Sequence, residues 1–148
     1  MKPRLGLLLW QVQHTMRLRV EAELASMRLS FVQLWALNMI AEQPGLTSAE
    51  IARPLLLSAQ AAHVVTRHLE GLGYIERAER PVRGRSLPLR ITPFGRQVLS
   101  EAEQTADLVH ADFFSGLKAD EQATLRAALL RCLPRDASDD SGVAARMP

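Results

Sequence analysis

The sequence predicts a mainly α-helical fold with about six helices and one small β-hairpin. Apolar residues recur at helical spacing through most of the chain, between capping and breaking residues. The pattern changes in residues 58–92, where a short helix ends at 71–73, an extended run covers 74–77, and a basic, turn-rich tip leads back through 87–91. This order predicts a winged helix-turn-helix, in which one helix enters the major groove and a hairpin reaches the flanking DNA.

Composition and charge agree with a globular DNA-binding domain. The chain has 148 residues, 47% of them hydrophobic, and a formal net charge of only +2, which favours one domain with its own core. The positive charge is concentrated between His63 and Arg96. This segment has only three glutamates and seven arginines: Arg67, Arg77, Arg80, Arg83, Arg85, Arg90 and Arg96. Arginine suits phosphate and groove contacts. The alternative is an ordinary solvated face, but the position of the charge on a hairpin favours DNA.

The single cysteine, Cys132, excludes an internal disulfide and indicates a reducing cytoplasm. The apolar run at 5–10 is too short for a signal peptide and lacks a cleavage site, and no stretch is long enough to span a membrane. The four histidines are scattered, and the chain has no glycine-rich phosphate loop, nucleophile elbow or paired carboxylates. We therefore expect no enzymatic activity and no metal or cofactor site.

The first two helices follow from periodicity and breakers. Residues 3–27 carry apolar residues at helical spacing, with more apolar surface than one core needs, so part of this helix is assigned to a dimer interface. Ser30 caps a second helix over 31–42, which Pro44 and Gly45 end. Its expected core residues are Leu34, Leu37, Met39 and Ile40.

The third and fourth helices form the predicted helix-turn-helix. Thr47 and Glu50 make a capping box, Pro54 ends this short helix, and the leucines at 55–57 are expected to fill the core. Ser58 caps the fourth helix, whose inward residues are Ala62, Val65 and Leu69. Its outward side chains suit base edges. The predicted major-groove residues are Ser58, Ala59, Gln60, His63, Val64 and Arg67. An ordinary amphipathic helix is the alternative, and the basic hairpin favours DNA.

Two further helices and a tail complete the chain. Thr92 and Pro93 begin a fifth helix that runs to about Phe114, and a sixth runs from about Ala119 to Leu133. Four segments are expected. They are an N-terminal dimerisation helix (1–28), a winged helix-turn-helix lobe (29–92), C-terminal dimerisation helices (93–134) and a disordered tail (135–148).

Short motifs across residues 29–99 resemble the MarR family of bacterial transcription regulators. They are Leu29-Ser30-x-x-Gln33, Leu46-Thr47-x-x-Glu50-Ile51-Ala52, Ser58-x-Gln60, Leu69-Glu70-x-x-Gly73-Tyr74-Ile75-Glu76-Arg77, Arg85-Ser86 and Ile91-Thr92-Pro93-x-Gly95. The resemblance implies a cytoplasmic homodimer that represses transcription by binding a near-palindromic operator. It also implies that Arg85 enters the minor groove. Many family members release DNA when a small, often phenolic, ligand binds, and others respond to oxidation of a cysteine.

The sequence departs from the family pattern at several positions. Arg83 stands where the family wing usually has an aspartate, His63 and Val64 replace a Thr-Arg pair, and Pro54 lies in a helix that is usually unbroken. A tryptophan common early in the second helix is Leu34, with Trp35 beside it. The target sequence therefore cannot be carried over from the family. We assign Arg77, Arg83 and Arg90 to DNA phosphates.

Three questions stay open at this point. Trp10, His14, Arg17, Trp35 and Met39 either line a cleft for a small aromatic acid or divide into core tryptophans and surface polar residues, and the second interpretation is favoured. Cys132 lies near Arg131 and Arg135, which can lower a thiol pKa, but a buried structural cysteine is favoured. The alternative function is a winged-helix protein-interaction scaffold without specific DNA binding, which leaves the arginines unexplained.

Overall fold

The computed structural model describes residues 3–79 and 87–133 and shows the predicted order of helices and strands. The helices are α1 (Leu5–Leu24), followed by a 3₁₀ turn at Ala25–Met27, α2 (Phe31–Glu42), α3 (Ser48–Ala52), α4 (Ala59–Gly71), α5 (Pro93–Phe113) and α6 (Ala119–Cys132). The strands are β1 (Ile75–Arg77) and β2 (Leu89–Ile91). The predicted tail and the tip of the wing lie outside the described residues.

Capping side chains set the starts of the central helices. Ser30 and Gln33 form a reciprocal capping box at α2, and Thr47 and Glu50 form another at α3. The hydroxyl of Thr92 accepts from the Gly95 N–H at 2.9 Å, with Pro93 in the first turn of α5. These contacts satisfy backbone N–H groups that a helix leaves without a partner, which is why the predicted boundaries agree closely with the observed ones.

The core lies where α2 and α4 pack against the hairpin, and α1 and α5 pack beside it. Its largest fully buried side chains are Leu24, Leu37, Ile40, Ile51, Leu69, Ile75 and Leu89. The hairpin is a two-stranded antiparallel sheet in which Ile75 pairs with Ile91 and Arg77 with Leu89. The hairpin, the helix-turn-helix and the start of α5 therefore belong to one packed lobe.

The ends of the chain differ from this lobe. Large apolar side chains in the first half of α1 and along α6 are exposed, among them Leu5, Leu8, Leu9, Leu129 and Leu130. Within the described residues, no single helix is long and apolar enough to cross a membrane; only α1 and α2 taken together have that length and composition, and they meet at a bend of 69°.

Candidate nucleic-acid interface

The outward face of α4 is the first part of the candidate interface. Ser58 caps the helix by accepting from the Ala61 N–H at 3.1 Å, and Ala62, Thr66 and Leu69 hold the opposite face in the lobe. All six predicted major-groove residues are exposed, which places them on one accessible surface: Ser58, Ala59, Gln60, His63, Val64 and Arg67. Val64 is 61% exposed, so its methyl groups are accessible from outside the lobe.

The turn between α3 and α4 differs from the sequence prediction. The backbone N–H of Leu57 donates to the Ala52 carbonyl at 2.8 Å, and the backbone N–H of Leu56 donates to the Arg53 carbonyl at 3.1 Å. These bonds form a Schellman motif, whose C′ position requires a left-handed backbone. Leu56 occupies that position with φ 54°, so its side chain points away from the core and is 92% exposed. The prediction that all three leucines fill the core was wrong for Leu56.

The hairpin places the predicted phosphate ligands in different surroundings. Arg90 is exposed on β2, opposite Glu76 on β1. Arg77 instead donates from Nε to Glu70 at 3.0 Å and from Nη2 to Thr66 at 3.1 Å. The phosphate roles of Arg77 and Arg90 stay predictions, although the contacts of Arg77 favour another role. Arg83 and Arg85 lie outside the described residues.

Sequence reasoning missed the polar residues that hold the interface together. Thr66 is completely buried in α4, and Ser48 in α3 and Glu70 in α4 take part in the same set of contacts. The only available signal was a threonine at an inward position of an amphipathic helix. Such a residue needs an internal hydrogen-bond partner, but periodicity does not say which one.

The candidate ligand residues fall into separate contacts. Trp10 is 59% exposed and stacks on His14 with ring centroids 5.1 Å apart. Arg17 forms an ion pair with Glu21 at 3.1 Å. The ring of Trp35 meets that of Phe31 edge-on, and Met39 is buried in the core. The expectation that both tryptophans belong to the core was wrong for Trp10.

Two residues of the C-terminal helices complete the description. Cys132 is exposed, which contradicts its predicted burial, because α6 packs little against the rest of the single chain. Nε2 of His110 in α5 is buried without a hydrogen-bond partner among the described residues. Burial lowers the pKa of His110 below its usual value, and Asp107 opposes this in part. No cluster of potential metal ligands occurs in residues 3–79 and 87–133.

A short helix, a turn, a second helix with an exposed polar face and an antiparallel hairpin define a winged helix-turn-helix DNA-binding protein. A model of the MarR family matches residues 29–86. The chain is 34% identical over 125 residues to the HTH-type transcriptional repressor Rv2887 of Mycobacterium tuberculosis, covering 84% of this chain and 90% of that protein. The chain therefore belongs to the MarR family, and the predicted family and fold class are confirmed.

Solved structures of that relative resemble this chain over nearly its whole length. The structure of Rv2887 in complex with DNA has a TM-score of 0.73 and 30% identity, covering 90% of this chain and 100% of that one. The structure of Rv2887 in complex with salicylic acid has a TM-score of 0.70 and 32% identity, covering 89% and 98%. At this identity the similarity covers sequence as well as fold.

Proposed function

We propose that the chain is a homodimeric transcription repressor that binds a near-palindromic operator through α4. The observation that carries this proposal is the exposed face of α4, which presents Gln60, His63 and Arg67 beside a hairpin in the same packed lobe. Its relative Rv2887 is a transcriptional repressor with a structure in complex with DNA. A repressor works in contact with DNA, so we place the chain in the cytoplasm.

The chemistry of this face suits base recognition. Gln60 can pair with adenine edges, Arg67 with guanine or phosphate, and the methyl groups of Val64 with the thymine methyl. Ala59 beside the capped helix end is small, so the backbone can approach the groove closely. The full set assigned to the major groove is Ser58, Ala59, Gln60, His63, Val64 and Arg67.

The hairpin supplies the flanking contacts. We assign Arg85 to the minor groove, and Arg83 and Arg90 to phosphates. Arg90 supports this assignment because it is exposed on β2. Replacement Arg85→Ala is expected to weaken specific binding by about 1–3 kcal/mol.

Exposed apolar surface on the outer helices supports the homodimer. Leucines at the start of α1 and along α6 are open to solvent in the single chain, namely Leu5, Leu7, Leu8, Leu9, Leu125, Leu129, Leu130 and Leu133. Exposed leucines clustered on a helix are typical of a protein interface, and a closed dimer gives two α4 helices related by a twofold axis. Such an arrangement matches a near-palindromic site.

A small aromatic acid is the proposed effector, since Rv2887 has a structure in complex with salicylic acid. Trp10, His14, Arg17, Trp35 and Met39 are the candidate pocket residues. The exposed Trp10 stacks on His14, and Nδ1 of His14 lies 3.5 Å from Nη2 of Arg17, which supports the proposal because an aromatic ring and a cation belong to one stretch of α1. A cation and aromatic faces suit an aromatic carboxylate.

Selection from a random duplex pool tests base recognition. Wild type is expected to enrich a near-palindromic sequence, and Gln60→Ala or His63→Ala is expected to enrich a different one while keeping most of the total affinity. Identical enriched sequences for wild type and both variants would contradict the assignment of α4.

Salicylate is expected to lower the affinity of the wild-type protein for its enriched duplex. Trp10→Ala is the variant whose DNA affinity is expected not to change with salicylate.

A further inference from the structure

Arg77 lies at the end of β1, but its side chain turns towards the recognition helix. The side chain is only 17% exposed and forms an ion pair with Glu70, from Nε to Oε2 at 3.0 Å. Its Nη2 also donates to the Thr66 hydroxyl at 3.1 Å. Both partners belong to α4, so one side chain from the wing strand holds two residues one turn apart on the helix.

The Thr66 hydroxyl extends this contact to α3. Its oxygen lies 2.8 Å from Oγ of Ser48, the first residue of α3, and it donates to the His63 carbonyl at 3.1 Å. A hydroxyl has one proton and two acceptor lone pairs. Thr66 therefore uses its full capacity when it donates to His63 and accepts from Ser48 and Arg77. A part-buried network with a fully buried, fully bonded hydroxyl at its centre favours one arrangement of the elements that it joins.

The network connects the three parts of the DNA-binding lobe. Ser48 belongs to the first helix of the helix-turn-helix, Thr66 and Glu70 to the recognition helix, and Arg77 to the wing strand. Arg90 on the neighbouring strand offers the contrast, because it is exposed and opposite Glu76. The two arginines therefore differ in what surrounds the guanidinium, although both belong to the same basic hairpin.

We propose that Arg77 is a positioning residue that fixes the angle of the wing against α4, and that it does not bind a DNA phosphate. The proposal rests on the proposed DNA-binding function. It replaces a contact with DNA by the internal bridge from Arg77 to Glu70 and Thr66. Loss of the bridge leaves α4 exposed as before but frees the wing, so specific affinity falls because both elements no longer fit the duplex together.

A charge swap separates the two roles. Arg77→Glu and Glu70→Arg are each expected to lower the affinity for the enriched duplex by about tenfold or more. The double variant keeps the net charge and restores the ion pair, so its affinity is expected to return to within about threefold of wild type. If Arg77 instead binds a DNA phosphate, the double variant binds the duplex no better than Arg77→Glu does. This result would overturn the proposal.

Two further variants protect the test against misfolding and against general charge effects. Thr66→Val removes only a buried hydroxyl. It is expected to lower the affinity for the enriched duplex while the salt slope of that affinity stays as in wild type. Arg90→Glu makes the same charge change at an exposed position, and its salt slope is expected to fall by about one. A slope that falls for Thr66→Val as well would contradict the positioning role.

The same experiment distinguishes this proposal from the proposed function. Wild type that prefers no duplex would overturn both. Wild type that binds its enriched duplex specifically, together with a charge swap that fails to recover, would overturn only the role of Arg77. Urea unfolding of the four proteins in the cycle shows how much of each loss comes from stability.

Discussion

Tyr74 donates a hydrogen bond of 2.8 Å from its phenolic oxygen to the Met27 carbonyl, which lies in the turn after α1. The Tyr74 carbonyl accepts from the Thr92 N–H at 3.0 Å, immediately before α5. One residue at the start of the hairpin therefore contacts the end of α1 and the beginning of α5. His68 adds a second connection, because its Nε2 lies 3.0 Å from the Arg28 carbonyl. The outer helices and the recognition lobe meet at this junction.

Replacement Tyr74→Phe is expected to lower the free energy of unfolding by about 1 kcal/mol, because it removes one hydrogen bond and keeps the buried ring. Urea unfolding followed by circular dichroism measures the change. Thr105→Val is the control, since it removes a hydroxyl whose bond to the Glu101 carbonyl is local to α5. Equal effects of the two replacements would argue against a special role for the junction.

Replacement Gly95→Ala is expected to destabilise the protein by about 3 kcal/mol, near the upper end for overpacking. A Cβ at this position meets the Tyr74 carbonyl oxygen at 2.0 Å, so α5 has to move away from the hairpin. This cost exceeds the gain of up to about 1 kcal/mol that alanine brings to a helix.

Gly71→Ala is the matched control for Gly95→Ala. Gly71 is the last residue of α4, and a Cβ there meets no atom within 4 Å. The control is expected to raise stability by about 0.5–1 kcal/mol. If both glycine replacements stabilised the protein, the close approach of α5 to Tyr74 would be disproved.

Replacement Leu56→Gly is expected to raise stability by about 1 kcal/mol. Leu56 has a left-handed backbone, which costs an L-residue about that amount, and its exposed side chain contributes little burial. Leu56→Ala keeps the Cβ in the same backbone conformation, so its stability is expected to stay within about 0.5 kcal/mol of wild type. A glycine variant no more stable than the alanine variant would contradict strain at this turn.

Stability is expected to fall below neutral pH in a way that depends on His110. Burial disfavours the charged imidazole, so the folded pKa lies below the usual value of 6.5. Between these two values the unfolded chain binds more protons, and unfolding becomes easier as the pH falls. This contribution is fully present above about 6.5 and is lost as the pH falls through the folded pKa.

Unfolding measured at several pH values between 5 and 8 tests this expectation. His110→Gln is expected to depend less on pH than wild type, and His63→Gln, on the exposed face of α4, serves as the control. The assignment fails if His110→Gln keeps the full wild-type slope.

Local signals explain how much of the fold was predictable. Ser30 and Gly45 bracket α2, Thr47 and Glu50 mark α3, and Thr92 with Pro93 marks α5. At each of these three helix starts a nearby side chain accepts from a free backbone N–H, so the sequence itself contains both partners. The exposed face of α4 follows in the same way from helical periodicity.

The missed features depend on how elements pack against one another and on the backbone of a turn, which helical periodicity does not describe. Arg77 carries the charge of a phosphate ligand, but its contacts with Glu70 and Thr66 depend on how the hairpin packs on α4. Leu56 is apolar, yet the backbone of the turn directs it to solvent. Cys132 lies on an apolar face that finds little to cover it within one chain. Periodicity identifies a face, whereas packing decides what that face meets.

The most direct test of the central claim is the affinity of wild type for its enriched duplex and for a scrambled duplex of equal length at two salt concentrations. A sequence-specific repressor is expected to bind the enriched duplex at least about a thousandfold more tightly at the higher salt. Equal binding to both duplexes, lost together as salt rises, would contradict sequence recognition by α4 and leave a binder of the DNA backbone alone.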